Sequence, residues 1–359
     1  MKKKLRELLL PQYKSKIKAG DGLSKGKYKF FTCSPIQNKF YNEAIYMCPA
    51  LIFGTGGNAN VHYCEEPFST STDCLVMYGT EDANLELIYQ YLHTNLHLLQ
   101  AGFKGAGLQH ISKDYILDIE IDLPDSENPA SITKQMREID TMVRYRCLQL
   151  SKLDQLVKSR FIELFGDPIH PTYSKPLGDV AVLERGRFSP RPRNDPRYYG
   201  GDYPFIQTGD IANCGHRLAT YKQTLNEMGV QVSKKFPVGT IVIAIVGATI
   251  GATAILGIEV YAPDSVIGIS VDTEQYNAIF LETLLRFWQP ELLRIAPESA
   301  RANINLGILQ NIPIIDTDLQ QQKQFAAFVE QTDKSKFEIQ RSLEKLETLK
   351  KALMQKYFG

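Results

Sequence analysis

Apolar residues recur at alternating steps of four and three in two stretches of the chain. Ile132, Met136, Ile139, Val143, Leu150, Leu153 and Val157 keep this spacing in the first, with Arg146 in one slot. Val329, Thr332, Ile339, Leu343, Leu346 and Leu353 keep it in the second, with Lys336 and Lys350 interrupting. Residues repeating about every 3.5 positions share one helix face, so each stretch predicts a long helix with an apolar seam. Residues 131–165 and 319–358 contain neither Gly nor Pro, while Asn128-Pro129 and Gly166-Asp167-Pro168 mark a start and a stop. Such a helix spans about 50 Å at 1.5 Å per residue. Two helices of matched length and register predict an antiparallel coiled coil.

Ahead of each helix the pattern is short β-branched and aromatic runs broken by Gly, Pro and Asn, with further helices expected at residues 81–99 and 275–295. Residues 238–258 carry no charge and reach the length of a membrane span. Their Val, Ile and Thr content and their four glycines predict two buried strands meeting at a Gly-rich turn instead.

The chain also repeats itself. Residues 150–166 and 343–359 are identical at seven of seventeen positions at an offset of 193, and the same offset aligns Ile111, Ile119, Ile121 and Asp125 with Ile304, Ile312, Ile314 and Asp318. Upstream, the run from Tyr28 resembles that from Tyr203, and the run from Pro49 resembles that from Gly239. A unit this long, seen twice, predicts two related domains and not a solenoid. The fold class expected is α+β: two tandem globular domains, each followed by a long helix. Their limits are residues 1–127, helix 128–166, residues 167–317 and helix 318–359.

Net charge is only +1, so composition alone does not announce a nucleic-acid binder. Charge is uneven, however. Ten Lys or Arg against two acids lie between Lys2 and Lys29, and five Arg against Asp195 lie between Arg185 and Arg197. Local basic patches suit binding to phosphate. Arg185, Arg187, Arg191, Arg193 and Arg197 alternate with Pro190, Pro192, Tyr198 and Tyr199, and the prolines predict an extended loop that displays its arginines. Guanidinium forks bind phosphate or read guanine, and tyrosine hydroxyls reach phosphates. Arg301, Asn303 and Asn305, with Lys104, Gln109 and His110 in the equivalent stretch of the first half, are further candidates, since amides suit adenine but also make turns. His216 and Arg217 follow a turn signal. Lys14, Lys16, Lys18, Lys25, Lys27 and Lys29 suit phosphate contacts or plain solubility and carry no base code.

This arrangement of domain, long helix, domain, long helix resembles the specificity subunit of type I restriction-modification enzymes. The likeness covers essentially the whole chain. It is most specific at residues 183–211 (LERGRFSPRPRNDPRYYGGDYPFIQTGDI), supported by residues 241–251, 299–314 and the C-terminal LEKLETLKKALMQKYFG. The resemblance implies two target-recognition domains, each reading one half of a bipartite, asymmetric duplex DNA target, with the helix pair as spacer. It implies as partners two modification subunits and, through them, restriction subunits.

No GxxxxGK[ST] loop, no Asp/Asn-Pro-Pro-aromatic tetrapeptide and no Pro-Asp…Glu-x-Lys cluster is present, which argues against an enzyme and against a cofactor. His62, Cys64 and Cys74 fit no zinc spacing and read as buried thiols and a neighbouring ring. Six Cys without a CxxC pair or a leader suit a reducing cytoplasm. The rival expectation is a coiled-coil adaptor without DNA recognition.

Overall fold

The consecutive apolar runs become the innermost strands. Ala50–Gly54 and Ile241–Ala244 are buried at every position, because both faces of each strand are covered. The computed structural model describes residues 2–105, 107–123, 129–296 and 303–358. Its longer helices are α1 (Leu85–Thr94), α2 (Pro129–Phe165), α3 (Ala278–Ile295) and α4 (Leu319–Phe358). The chain forms two compact units, residues 1–147 with 340–359 and residues 148–339. Each unit therefore takes half of α2 and half of α4.

In the first unit a four-stranded sheet runs Leu9–Pro11, Cys74–Gly79, Ala50–Gly54, Val61–Cys64. Its pairing sets Leu51 opposite Met77 and Ile52 opposite Val76. Alternation then sends Leu51, Phe53 and Met77 into a core with Leu87, Ile88 and Leu92 of α1. Ile52, Cys74 and Val76 point the other way, onto Phe31, Tyr46 and Phe68. A second sheet runs Lys39–Tyr41, Tyr28–Phe31, Phe68–Thr70, the last two strands parallel. Lys2–Lys4 pairs with Glu120–Asp122.

The second unit repeats this plan. Its larger sheet runs Ala181–Arg185, Val266–Val271, Ile241–Ala244, Thr253–Leu256, Arg217–Leu218. Ile241, Ile243, Ile267 and Ile269 pack with Phe280, Leu281 and Leu284 of α3, whereas Val242, Ala244 and Val266 pack with Ile206, Ile211 and Phe236. A second sheet runs Gln223–Leu225, Tyr199–Phe205, Val260–Ala262, Lys234–Phe236, again with a parallel pair, here at its centre. Ser174–Pro176 pairs with Pro313–Ile315. The second unit extends both sheets by one edge strand, and the pairings are otherwise shared. Residues 238–258 are thus two strands joined through Gly247 and Gly251, both with positive φ. No helix among the described residues is long and apolar enough to cross a membrane.

Asparagine caps shorten two expected helices. Asn84 Oδ1 accepts from the Leu87 amide at 3.0 Å, so the helix expected from residue 81 begins at Leu85, and it breaks at Asn95 before a short turn, Leu96–Gln100. Asn277 Oδ1 accepts from Ile279 at 2.9 Å and starts α3 three residues later than expected. The long helices follow the expected runs closely, and α2 stops at Gly166, whose φ is 80°.

The helices pair antiparallel within each unit. In the first, Ile132 and Met136 of α2 share a core with Met354 and Phe358 of α4, and Lys350 Nζ donates to Asp140 at 2.5 Å. In the second, Val157 and Phe161 share a core with Phe325 and Val329, and Lys336 Nζ meets Asp154 at 2.7 Å. The two lysines that interrupt the seam in sequence are thus half-buried cross-helix ion pairs.

Candidate nucleic-acid interface

The arginine-rich loop joins Ala181–Arg185 to Tyr199–Phe205 in the second unit. Its aromatic residues are its anchor. Phe188 is buried against Phe205 at 5.1 Å, Tyr199 at 5.8 Å and Tyr198 at 6.1 Å between ring centres. Tyr198 and Tyr199 are half-buried, and the Tyr199 hydroxyl donates to the Arg193 carbonyl at 2.5 Å.

All five arginines are exposed, yet each is tied to an acceptor of its own unit. Arg185 Nε donates to the Asp264 carbonyl at 2.6 Å, and Arg187 to the Ser233 carbonyl at 3.3 Å. Arg191 donates to the carbonyls of Phe188 and Pro190 at 3.0 and 2.8 Å. Arg193 donates to Asp264 Oδ1 at 2.5 Å, with Arg191 3.6 Å from the other oxygen. Arg197 forks onto Asp195, whose carboxyl this bond holds below the usual carboxylate range. The expectation of freely displayed arginines is therefore corrected: the prolines do not hold them out, because carbonyls and two carboxylates lie within reach of the forks. Five guanidiniums against two carboxylates leave the loop net positive, with N–H groups of exposed forks still facing water.

Beside this loop a cavity of about 600 Å³ opens between Phe188, Tyr199 and Phe205 on its floor and Arg193, Gln207, Lys222 and Gln223 around it. The strand register builds it, since Phe205 lies opposite Gln223. Gln207 falls within the family-like stretch 183–211, but no sequence pattern marks Lys222 or Gln223, and only the pairing of the two strands brings all three to the arginines.

The remaining candidates sit elsewhere on their units. Arg217 is exposed and lines a different cavity, of about 670 Å³, with Ile279, Val329, Asp333, Lys334 and Phe337. The neighbouring His216 is not a free contact. Its Nδ1 lies 2.6 Å from Oε2 of Glu282, which is fully buried. Glu282 Oε1 also accepts from Thr253 Oγ1 at 2.9 Å and from Arg286 Nε at 2.5 Å, and Arg286 Nη2 donates to the Gly215 carbonyl. Burial pushes the Glu282 carboxyl up, but the Arg286 charge and the His216 bond outweigh it, so the net shift is downward. This network fastens the Gly215–His216 turn to α3. The sequence signal was present: a Glu and an Arg four residues apart within the apolar first half of that helix.

Asn305 caps the short helix Leu306–Gln310, its Oδ1 accepting from Ile308 at 2.9 Å, so its side chain serves the turn. Asn303 is exposed and bridges to Val246. Arg301 lies outside the described residues. In the first unit Lys104 and His110 bridge to each other across a turn, with Gln109 exposed between them, and His110 Nδ1 lies 3.2 Å from the Thr55 carbonyl. Lys25 and Lys27 are exposed, Lys27 over the Tyr28 ring, while Lys29 pairs with Glu66 at 3.0 Å. Part of the N-terminal basic run is neutralised: Arg6 meets Asp118 at 2.6 Å and Lys4 meets it at 3.6 Å. Cys64 and Cys74 are buried, and His62 Nε2 lies 2.9 Å from the Ser34 carbonyl. Among the described residues no group of three His, Cys, Asp or Glu is placed to hold a metal ion.

Two solved structures share the fold across nearly their whole length. The S subunit of a type I restriction-modification system from M. genitalium is similar with a TM-score of 0.68 at 14% identity, over 100% of this chain and 96% of that one. A chain from a structure of complex assembly and conformational transition in the type I R-M system is similar with a TM-score of 0.55 at 17% identity, over 99% and 96%. The family model described as type I restriction modification DNA specificity domain matches residues 1–146 and again residues 173–351. A chain that carries this domain twice, on two units of common topology, belongs to the type I restriction-modification DNA specificity family.

Proposed function

We propose that this chain is the DNA sequence-specificity subunit of a type I restriction-modification complex, without a catalytic step of its own and acting in the cytoplasm. Residues 1–127 and 167–317 serve as target-recognition domains for the two halves of a bipartite, asymmetric duplex target. Residues 128–166 and 318–359 serve as the spacer helices. One observation carries the reading: the specificity domain occurs twice, on units whose strand pairings correspond apart from one added edge strand per sheet in the second.

The S subunit and the R-M assembly that share its fold support a scaffolding role toward two modification subunits and, through them, restriction subunits. Exposed apolar residues on the helices, Tyr145 on α2 and Phe337 on α4 at 62% and 66% exposure, suit docking of such partners. Arg185, Arg187, Arg191, Arg193, Arg197 and Arg217 with Lys25, Lys27 and Lys104 supply cations for phosphate. Tyr198, Tyr199, Asn303, Asn305, Gln109, His110 and Arg301 are the remaining candidates.

The test is adenine methylation and DNA binding by the complex assembled with its modification subunits. Wild type should mark one bipartite motif and bind with strong salt dependence. The triple variant R187A/R191A/R193A should weaken binding and flatten the log–log salt slope by about 0.9 for each phosphate it no longer neutralises. Methylation without any sequence preference would overturn the assignment.

A further inference from the structure

Among the polar side chains at the aromatic cavity, two amides constrain each other. Gln207 Nε2 donates to Gln223 Oε1 at 3.2 Å. Gln207 is half-buried, follows Tyr199–Phe205 by two residues, and has its backbone amide bound to Asp210 Oδ2 at 2.8 Å. Gln223 is exposed at the start of the neighbouring strand, opposite Phe205. The bond to Gln207 takes one lone pair of Gln223 Oε1 and restricts the rotation of that amide. The second lone pair and both Nε2 hydrogens of this exposed side chain have no further partner among the described residues.

An oriented glutamine edge of acceptor plus donor matches adenine, whose N6 amine donates and whose N7 accepts. An unconstrained glutamine must give up rotamer freedom to bind that way, whereas this one is already oriented. The surroundings suit nucleic acid. Lys222, exposed and in no ion pair among the described residues, and Arg193 flank the amide pair, while Phe188, Tyr199 and Phe205 line the floor.

The geometry points to Gln223 as a base-reading residue of the second unit, specifying adenine at one position of its half-target, with Gln207 as the residue that positions it. This rests on the specificity-subunit reading above and goes beyond it by naming the residue pair and the base.

The experiment uses the full chain assembled with its modification subunits and maps methylated adenines on a randomised duplex pool. Gln223→Ala should make a single position of one half-motif degenerate, reducing discrimination there about ten-fold or more. Gln223→Glu, with acceptors only, should move preference at that position from adenine toward cytosine, whose N4 amine donates. Gln207→Ala should loosen the same position and no other, and Gln207→Glu, which cannot donate to Gln223 Oε1, should do likewise. An unchanged motif in all four variants would overturn the proposal while leaving the specificity-subunit reading intact. So would a uniform loss of methylation with a lowered melting temperature, which would mark the pair as purely structural. A wild-type complex without a motif would instead remove the parent reading.

Discussion

Glu282 is the residue on which local order in the second unit turns. It is fully buried, and three side chains from three elements converge on it: His216, Thr253 and Arg286. Removing one partner of a buried ion pair strands the others, which typically costs about 3–5 kcal/mol. Arg286 retains 30% side-chain exposure and can rehydrate, so Glu282→Ala should lower stability by about 3 kcal/mol, near the low end of that range, as read by denaturant unfolding. Acid should have the same target. A carboxyl whose folded value lies below its ordinary 4.5 contributes stability that is fully present above that value and lost as pH falls through the depressed one. Melting temperatures from pH 7 to pH 3 should therefore show wild type and Glu282→Gln converging only at the acid end. A gap that stays constant with pH would rule this out.

At the scale of elements, the paired helices carry both the duplication and much of its stability. Phe161 lies fully buried among Phe165, Phe280, Phe287 and Phe325, with ring centres between 5.0 and 5.4 Å away. Truncating such a residue loses transfer energy and opens a cavity, so Phe161→Ala should cost about 3–5 kcal/mol in equilibrium unfolding of the second unit. The ion pairs along the seam are weaker. Lys350 and Asp140 keep 25% and 41% side-chain exposure, and a double-mutant cycle on them should return about 1 kcal/mol or less. Their value is in register: a lysine in the seam finds its aspartate at one alignment of the helices. A coupling near zero for Lys350–Asp140 together with Lys336–Asp154 would show that the apolar positions alone set that register.

For the molecule as a whole, the chain enters the first unit, builds the second, and returns through the end of α4 to complete the first. Phe358 meets Tyr91 edge-on at 6.0 Å, and Met354 joins the same core. Deleting residues 340–359 should therefore loosen residues 2–123 more than the sheet around Ile241–Ala244. Hydrogen exchange should report lost protection in Ala50–Gly54 and α1 with protection kept in Ile241–Ala244; equal loss in both would contradict this division.

The two long helices, the duplicated domain and the glycine-turned strand pair were legible in the residue order because each depends on periodicity or local turn chemistry. An apolar seam every 3.5 residues, a run of β-branched residues and a glycine with positive φ declare themselves within a dozen positions. Both helix-starting asparagines were also local, and the late starts they impose followed from a side-chain bond that periodicity does not register. The character of the candidate interface was decided by contacts distant in sequence. Arg193 is met by Asp264, His216 by Glu282, and Gln207 by Gln223 through strand pairing. A row of arginines announces positive charge; Arg191 and Arg197 meet acceptors within three residues, but those of Arg185, Arg187 and Arg193 are carried to them only by folding, and no local pattern encodes that.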